Sequence, residues 1–180
     1  PRSTLFPYTT LFRSLLDFTL TQVGRGIAVS PKPVDLHELV AGCLDELRRT
    51  FPGHELSHLR VGHCEFTADS DRLYQLIGNL VANAISYGSA DGGVTVSSLC
   101  EDHAVSIVVH NVGTPIRPAL LDNLFEPMIR GSHDNAELHS LGLGLFIVRE
   151  IARAHHGDVT VTSSIGSGTT LTATFPRSAN

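Results

Sequence analysis

The chain has 180 residues, 42% of them hydrophobic, which suits one domain with a real core and some flanking sequence. Its net charge of −5, with histidine neutral, argues against non-specific nucleic-acid binding, which needs a basic surface. No apolar run approaches the roughly 18 residues of a membrane-spanning helix, and no secretory signal is evident.

Thr4 to Ser14 reads TLFPYTTLFRS, which matches, residue for residue, one translated frame of a common short-read sequencing adapter. Residues 1–14 are set apart as foreign on that ground, and the natural gene is expected to begin further upstream. Leu15 to Gly26 reads as the end of a longer helix stopped by Gly24 and Gly26. Ser30, Pro31 and Pro33 read as a linker. Asp35 is placed to cap the next helix, with Glu38 reaching back as the second half of a capping box. Leu36, Leu39, Val40, Cys43, Leu44 and Leu47 recur there at helical spacing, and Pro52 and Gly53 end the run.

His54 to Ala68 holds two β-like stretches either side of Gly62, a hairpin or a pair of short strands. Asp69, Ser70 and Asp71 offer a second N-cap. The helix that follows runs to about Tyr87, with Leu73, Leu76, Ile77, Leu80, Val81 and Ala84 on one face. Val94 to Leu99 and Val105 to Val109 alternate as two strands joined near Asp102. Pro118 suits the first turn of a short helix through Phe125. Pro127 to Leu141 has no period and reads as a long loop, usually a functional feature in a compact domain. A helix from Leu143 is stopped by Gly157, and two last strands, Val159–Thr162 and Thr169–Phe175, flank Gly166 to Gly168. This order predicts an α+β two-layer sandwich, a mixed and mostly antiparallel sheet with helices on one face. Cys43, Cys64 and Cys100 are odd in number and widely spaced, without a CxxC pair. That argues against a disulfide framework and for a reducing compartment.

Three places can carry chemistry. Gln75, Asn79 and Asn83 lie four apart on one helix face. A neutral amide oxygen there can take part in holding Mg²⁺ while phosphates supply the negative charge; spacing alone leaves a solvated face equally open. Asn111 leaves the end of an apolar strand, where a side chain can read a ligand's base, and Gly113 permits close approach. Gly142-Leu-Gly144 opens a helix, whose free N–H groups and dipole suit an anion.

In order and spacing together these stretches resemble the histidine-kinase ATPase family, within the superfamily of gyrase, heat-shock chaperone and mismatch-repair ATPases. Leu76 to Ala84 resembles the N box, Asn111 to Ile116 the G1 box, Leu124 to Pro127 the F box and Leu141 to Val148 the G2 box. Gly166 to Thr170 resembles the closing hairpin. The resemblance covers about 34–176 and implies a Bergerat-type sandwich that binds ATP and Mg²⁺. It assigns Mg²⁺ to Asn83, the phosphates to Asn79, Gly142 and Gly144, and the adenine to Asn111, Gly113 and Thr170. Tyr87, Ile116, Phe125, Leu143 and Leu145 complete the implied ATP site, under a lid from Met128 to Leu141 in which Arg130 is a candidate cation.

Two residues depart from the family pattern. Asn111 stands where an Asp is usual, and it gives up charge-assisted acceptance from the adenine amine. Ser86 stands where many members carry a Lys. At the position of Asn79 the gyrase-like hydrolases carry a glutamate that activates water, so phosphoryl transfer is favoured over hydrolysis. None of the ten histidines fits the phosphoacceptor; His37, His155 and His156 read as surface or structural. The acceptor is therefore expected on an upstream dimerisation domain of the same protein, of which 15–29 would be the end and linker, with 30–178 as the ATP-binding domain. The resemblance further implies a cytoplasmic domain of a homodimeric kinase, soluble or membrane-anchored through its upstream part, that serves a response regulator. A degenerate, non-catalytic ATP-binding module and an anti-sigma-factor serine kinase remain as alternatives.

Overall fold

The computed structural model describes residues 6–89, 91–128 and 142–177. The elements in chain order are α1 (Phe6–Gln22), β1 (Lys32–Asp35), α2 (Leu36–Thr50), β2 (Leu56–Val61), β3 (Glu65–Ala68), α3 (Ser70–Tyr87), β4 (Val94–Cys100), β5 (Ala104–Asn111), α4 (Pro118–Leu121), α5 (Gly144–Ala154), β6 (Asp158–Ser164) and β7 (Gly168–Pro176). Five strands form one sheet in the order β2-β4-β5-β7-β6, parallel between β2 and β4 and antiparallel elsewhere. The expected mixed, mostly antiparallel sheet is therefore present. Val105, Ile107 and Val109 alternate inward on β5, as do Leu171, Ala173 and Phe175 on β7. Helices α2, α3 and α5 cover that inner face.

The helices start where local chemistry says they should. Asp35 Oδ1 accepts from the backbone N–H groups of His37 (2.8 Å) and Glu38 (3.3 Å), and Asp69 Oδ1 accepts from those of Asp71 and Arg72, both at 3.1 Å. Each such cap is worth about 1 kcal/mol. Glu38 does not reach back as a capping box would require; its carboxylate pairs with Arg60 Nη1 at 2.8 Å. Leu36, Leu44 and Leu47 are fully buried under α2, and each contributes roughly 1.5–3 kcal/mol of transfer free energy.

Non-local pairing departs from the sequence reading in three ways. β2 and β3 are the pair of short strands rather than the hairpin: β2 joins β4, while β3 pairs with β1, a strand inside the stretch read as linker. Cys64 and Cys100 form a disulfide, their Cα atoms 5.3 Å apart, and Cys43 is the free cysteine. The spacing argument failed because β4 ends beside the β2–β3 connection, a proximity that 36 residues of separation conceal. His37, half-buried, is not a free surface ring either: its Nδ1 lies 2.6 Å from the buried Ser98 Oγ, and its Nε2 donates to Gly62 O at 3.0 Å. Among the described residues no helix is long and apolar enough to cross a membrane.

Candidate functional site

Helix α3 carries Asn79 and Asn83 one turn apart on the side that meets α5. A methyl group added to Gly144 would stand 3.7 Å from Asn79 Oδ1, so the first turn of α5 sits directly on Asn79. That turn has Leu143 as its N-cap and, among the described residues, no side chain capping it, so its first N–H groups lack the side-chain partner that a helix start often has. Asn79 Nδ2 is buried and, among the described residues, has no hydrogen-bond partner. A buried orphan donor is costly, about 1–3 kcal/mol. An orphan amide beside an uncapped helix start of positive partial charge makes a cradle for an anion. Gly142 precedes it in the left-handed region (φ 68°), a conformation that suits glycine. Its carbonyl accepts from Met128 N–H at 3.0 Å, which joins the two ends of the segment 129–141. Arg130 and most of the expected lid lie outside the described residues.

The second wall forms where α3 ends. Gly88 bridges to Gly113, and Ser89 N–H donates to Val112 O at 2.8 Å. A Cβ on Gly113 would meet Tyr87 O at 2.8 Å and Gly88 Cα at 3.1 Å. Glycine is thus required at 113 by the end of α3, against which it is pressed. Asn111 closes β5 on the inner face, only 6% exposed. Across the ladder its register partner is Thr169, 7% exposed, whose hydroxyl lies 2.7 Å from Ser163 Oγ. Ser163 Oγ accepts in turn from the backbone N–H of Ile116 at 2.9 Å.

The sequence profile described as histidine kinase-, DNA gyrase B-, and HSP90-like ATPase matches residues 68–179, the stretch that holds both walls. The chain belongs to this ATPase family. Histidine protein kinase DivJ of Caulobacter vibrioides is 35% identical over 115 residues, which cover 64% of this chain and 19% of that kinase. Among solved structures, the mycobacterial sensor histidine kinase MprB superposes with a TM-score of 0.70 at 25% identity, covering 82% of this chain and 98% of that one. Full-length ShkA in complex with AMPPNP gives a TM-score of 0.77 at 25% identity, covering 97% and 37%. The chain spans between about a fifth and two fifths of the length of the curated relatives it matches.

In this ATPase domain the predicted residues divide by geometry. Asn79, Gly142 and Gly144 gather at the α3–α5 junction, with Asn83 one turn further along α3. Asn111, Gly113, Tyr87 and Ile116 gather at the sheet end. Leu143 and Leu145 are buried, so their backbone rather than their side chains faces the cradle. Phe125 packs half-buried against the core, and the neighbouring Glu126 pairs with Arg149 of α5 at 3.1 Å. Thr170 is on the wrong side: it points to the outer face of the sheet, where its hydroxyl meets His110 Nδ1 at 3.0 Å. Thr169 holds the inward position instead. Strand parity with Leu171, Ala173 and Phe175 carried that signal in the sequence. Ser86, at the position of the usual lysine, turns its hydroxyl back to Ala82 O at 2.8 Å.

Gln75, grouped with the two asparagines by spacing, has a different partner. Its Nε2 donates to Asp17 Oδ2 (2.9 Å), and its Oε1 accepts from Arg72 Nη1 (2.8 Å). Arg72 Nη1 also donates to Asp17 Oδ2 at 2.8 Å. This buried cluster fastens α1 to α3, and the rings of Phe18 and Phe146, 5.7 Å apart, fasten α1 to α5. Helix α1 runs without a break through the boundary drawn at residue 14.

The electrostatics around the base of α3 favour a rigid platform. Burial disfavours the Asp69 carboxylate, but N–H donors from Ser30, Arg72 and Asp71 and the charge of Arg72 together hold it below its usual range. Asp69 N–H donates to His155 Nε2 at 3.0 Å, while His155 Nδ1 donates to Ile151 O at 2.8 Å. His155 is thereby a strut between α5 and α3. Burial, aided by Glu46, pushes the Cys43 thiol up to about 12 and keeps it inert. No group of three His, Cys, Asp or Glu side chains that could hold a metal occurs among the described residues.

Proposed function

We propose that this chain is the Mg-ATP-binding catalytic part of a sensor histidine kinase. It would donate the γ-phosphoryl group to a histidine on a dimerisation domain of the same protein. One observation carries the reading. The Asn79 side chain, whose Nδ2 has no partner among the described residues, lies against the start of α5, where no described side chain caps the helix; a phosphate bound there would be offered donors by both. Asn83, one turn on, is positioned to offer Mg²⁺ a neutral oxygen, and the phosphates supply the charge the ion needs. The cluster of Asn111, Thr169 and Ser163 would receive the base. Where a hydrolase of this superfamily has its glutamate, this chain has an amide, which cannot take a proton from water; transfer to another group fits better than hydrolysis. Relatives named as histidine kinases favour this reading over the serine-kinase and degenerate-module alternatives. The same reading places residues 15–29 at the end of the dimerisation helix. It makes this domain cytoplasmic, within an intact homodimer, soluble or membrane-anchored, with a response regulator downstream.

Asn79→Asp tests it. A carboxylate beside the α5 start should leave stability unchanged or raise it by about 0.3–1 kcal/mol. It would occupy the phosphate position with like charge, so Mg-ATP affinity measured by calorimetry should fall by at least about 100-fold, some 2.7 kcal/mol. Undiminished Mg-ATP binding by the variant, or none by the wild type, removes the basis of the proposal.

A further inference from the structure

This inference rests on the nucleotide-binding reading and concerns which base the site admits. Asn111 lies against the end of α3: a Cβ on Gly88 would stand 3.4 Å from its Nδ2. Nδ2 donates to Val112 O at 3.4 Å, a long bond that uses one of its two hydrogens. Among the described residues nothing donates to Oδ1. The side chain therefore offers an acceptor and an unused donor from one position. Nδ2 keeps one hydrogen for a ligand while the other holds Val112 O, and Oδ1 stays open to accept, so both polarities are offered without turning the amide.

The groups beside it have the same character. Thr169 and Ser163 present hydroxyls 2.7 Å apart, and each hydroxyl can turn to donate or accept. No charged side chain is bonded into this wall among the described residues. A carboxylate at 111 would only accept. It would take a 6-amino purine and repel a 6-oxo purine, whose oxygen has no hydrogen to give.

We infer that Asn111 makes this a dual-purine site, one that admits 6-oxo as well as 6-amino purine triphosphates. A site built around one hydrogen-bond polarity can reject the wrong group by about 10⁴-fold. An amide that can offer either polarity should bring the two classes within about 10-fold of each other.

The test is calorimetric titration of the whole chain with the Mg²⁺ complexes of AMPPNP, GMPPNP and inosine triphosphate, repeated on Asn111→Asp. Inosine triphosphate isolates the 6-position, because it lacks the 2-amino group of guanine. The wild type should bind all three within about 10-fold, and the variant should favour the adenine ligand by at least about 100-fold. Should the variant fail to fold, as judged by circular dichroism, the wild-type ratio for inosine against adenine decides alone. If the adenine ligand binds and both 6-oxo ligands are weaker by more than about 100-fold in the wild type, this inference fails while the nucleotide site stands. An unchanged ratio in a folded Asn111→Asp protein also overturns it. Failure of all three ligands to bind overturns the nucleotide site, and this inference with it.

Discussion

Arg72→Met should release helix α1 from the ATPase domain without unfolding that domain. The wild-type cluster buries the Asp17 side chain to 3% exposure and Arg72 to 17%, with Arg72 and Gln75 both donating to one carboxylate oxygen. Removing the guanidinium leaves a buried carboxylate with the Gln75 amide as its single side-chain donor among the described residues. Breaking one half of such a pair costs about 3–5 kcal/mol. On the other side of the balance, burying Phe18 contributes roughly 1.5–3 kcal/mol, and its edge contact with Phe146 adds about 0.5–1.5 kcal/mol. The penalty thus matches or exceeds what the Phe18 contact contributes to holding α1, and undocking of residues 14–22 becomes the expected response. Hydrogen exchange followed by mass spectrometry reads this directly. Amides of residues 14–22 should lose protection, while those of α3 and α5 keep theirs. Asp17→Asn added to Arg72→Met should restore part of the protection, because the stranded charge is gone. Unchanged protection of α1 in Arg72→Met, or no recovery in the double variant, would refute the view that this ion pair sets the docking.

Two further outcomes follow from separate parts of the fold. Reducing the Cys64–Cys100 bond reopens a loop with 36 residues of sequence separation, and the chain-entropy treatment puts the loss at about 4 kcal/mol. Urea unfolding with and without dithiothreitol measures it; an unmoved midpoint, with the thiols shown open by alkylation, would remove any structural role for the bond. The second outcome concerns pH. Burial first, then the charges of Arg60, His37 and Arg48, hold His58 below its ordinary value of 6.5, with Glu38 opposing. The unfolded chain therefore takes up this proton before the folded one does as pH falls. The stabilising effect of neutral His58 is complete above its ordinary value, declines as pH drops through it, and levels off below the folded value. The urea midpoint should fall between about pH 8 and about pH 5, and His58→Gln should flatten that slope. Equal slopes in the two proteins would mean that other groups titrate here.

What could be read from the sequence was what depends on neighbours along the chain. Asp35 and Asp69 announced their helices because a cap bonds the N–H groups two and three residues ahead. Asn79 and Asn83 announced a shared face because the helical period puts them there. The glycines at 142 and 144 marked the start of a helix, α5. Even the inward position of Thr169, missed in favour of Thr170, was present in strand parity. Tertiary structure alone decided the rest. Gln75 follows the same spacing as the asparagines, yet its partner is Asp17, 58 positions earlier. Gly113 is confined by the end of α3. β2 chose β4 over its neighbour β3, and the same crossing set Cys64 against Cys100. Each of these depends on which surfaces bury one another, and burial is settled by the whole chain at once, so no local window contains it.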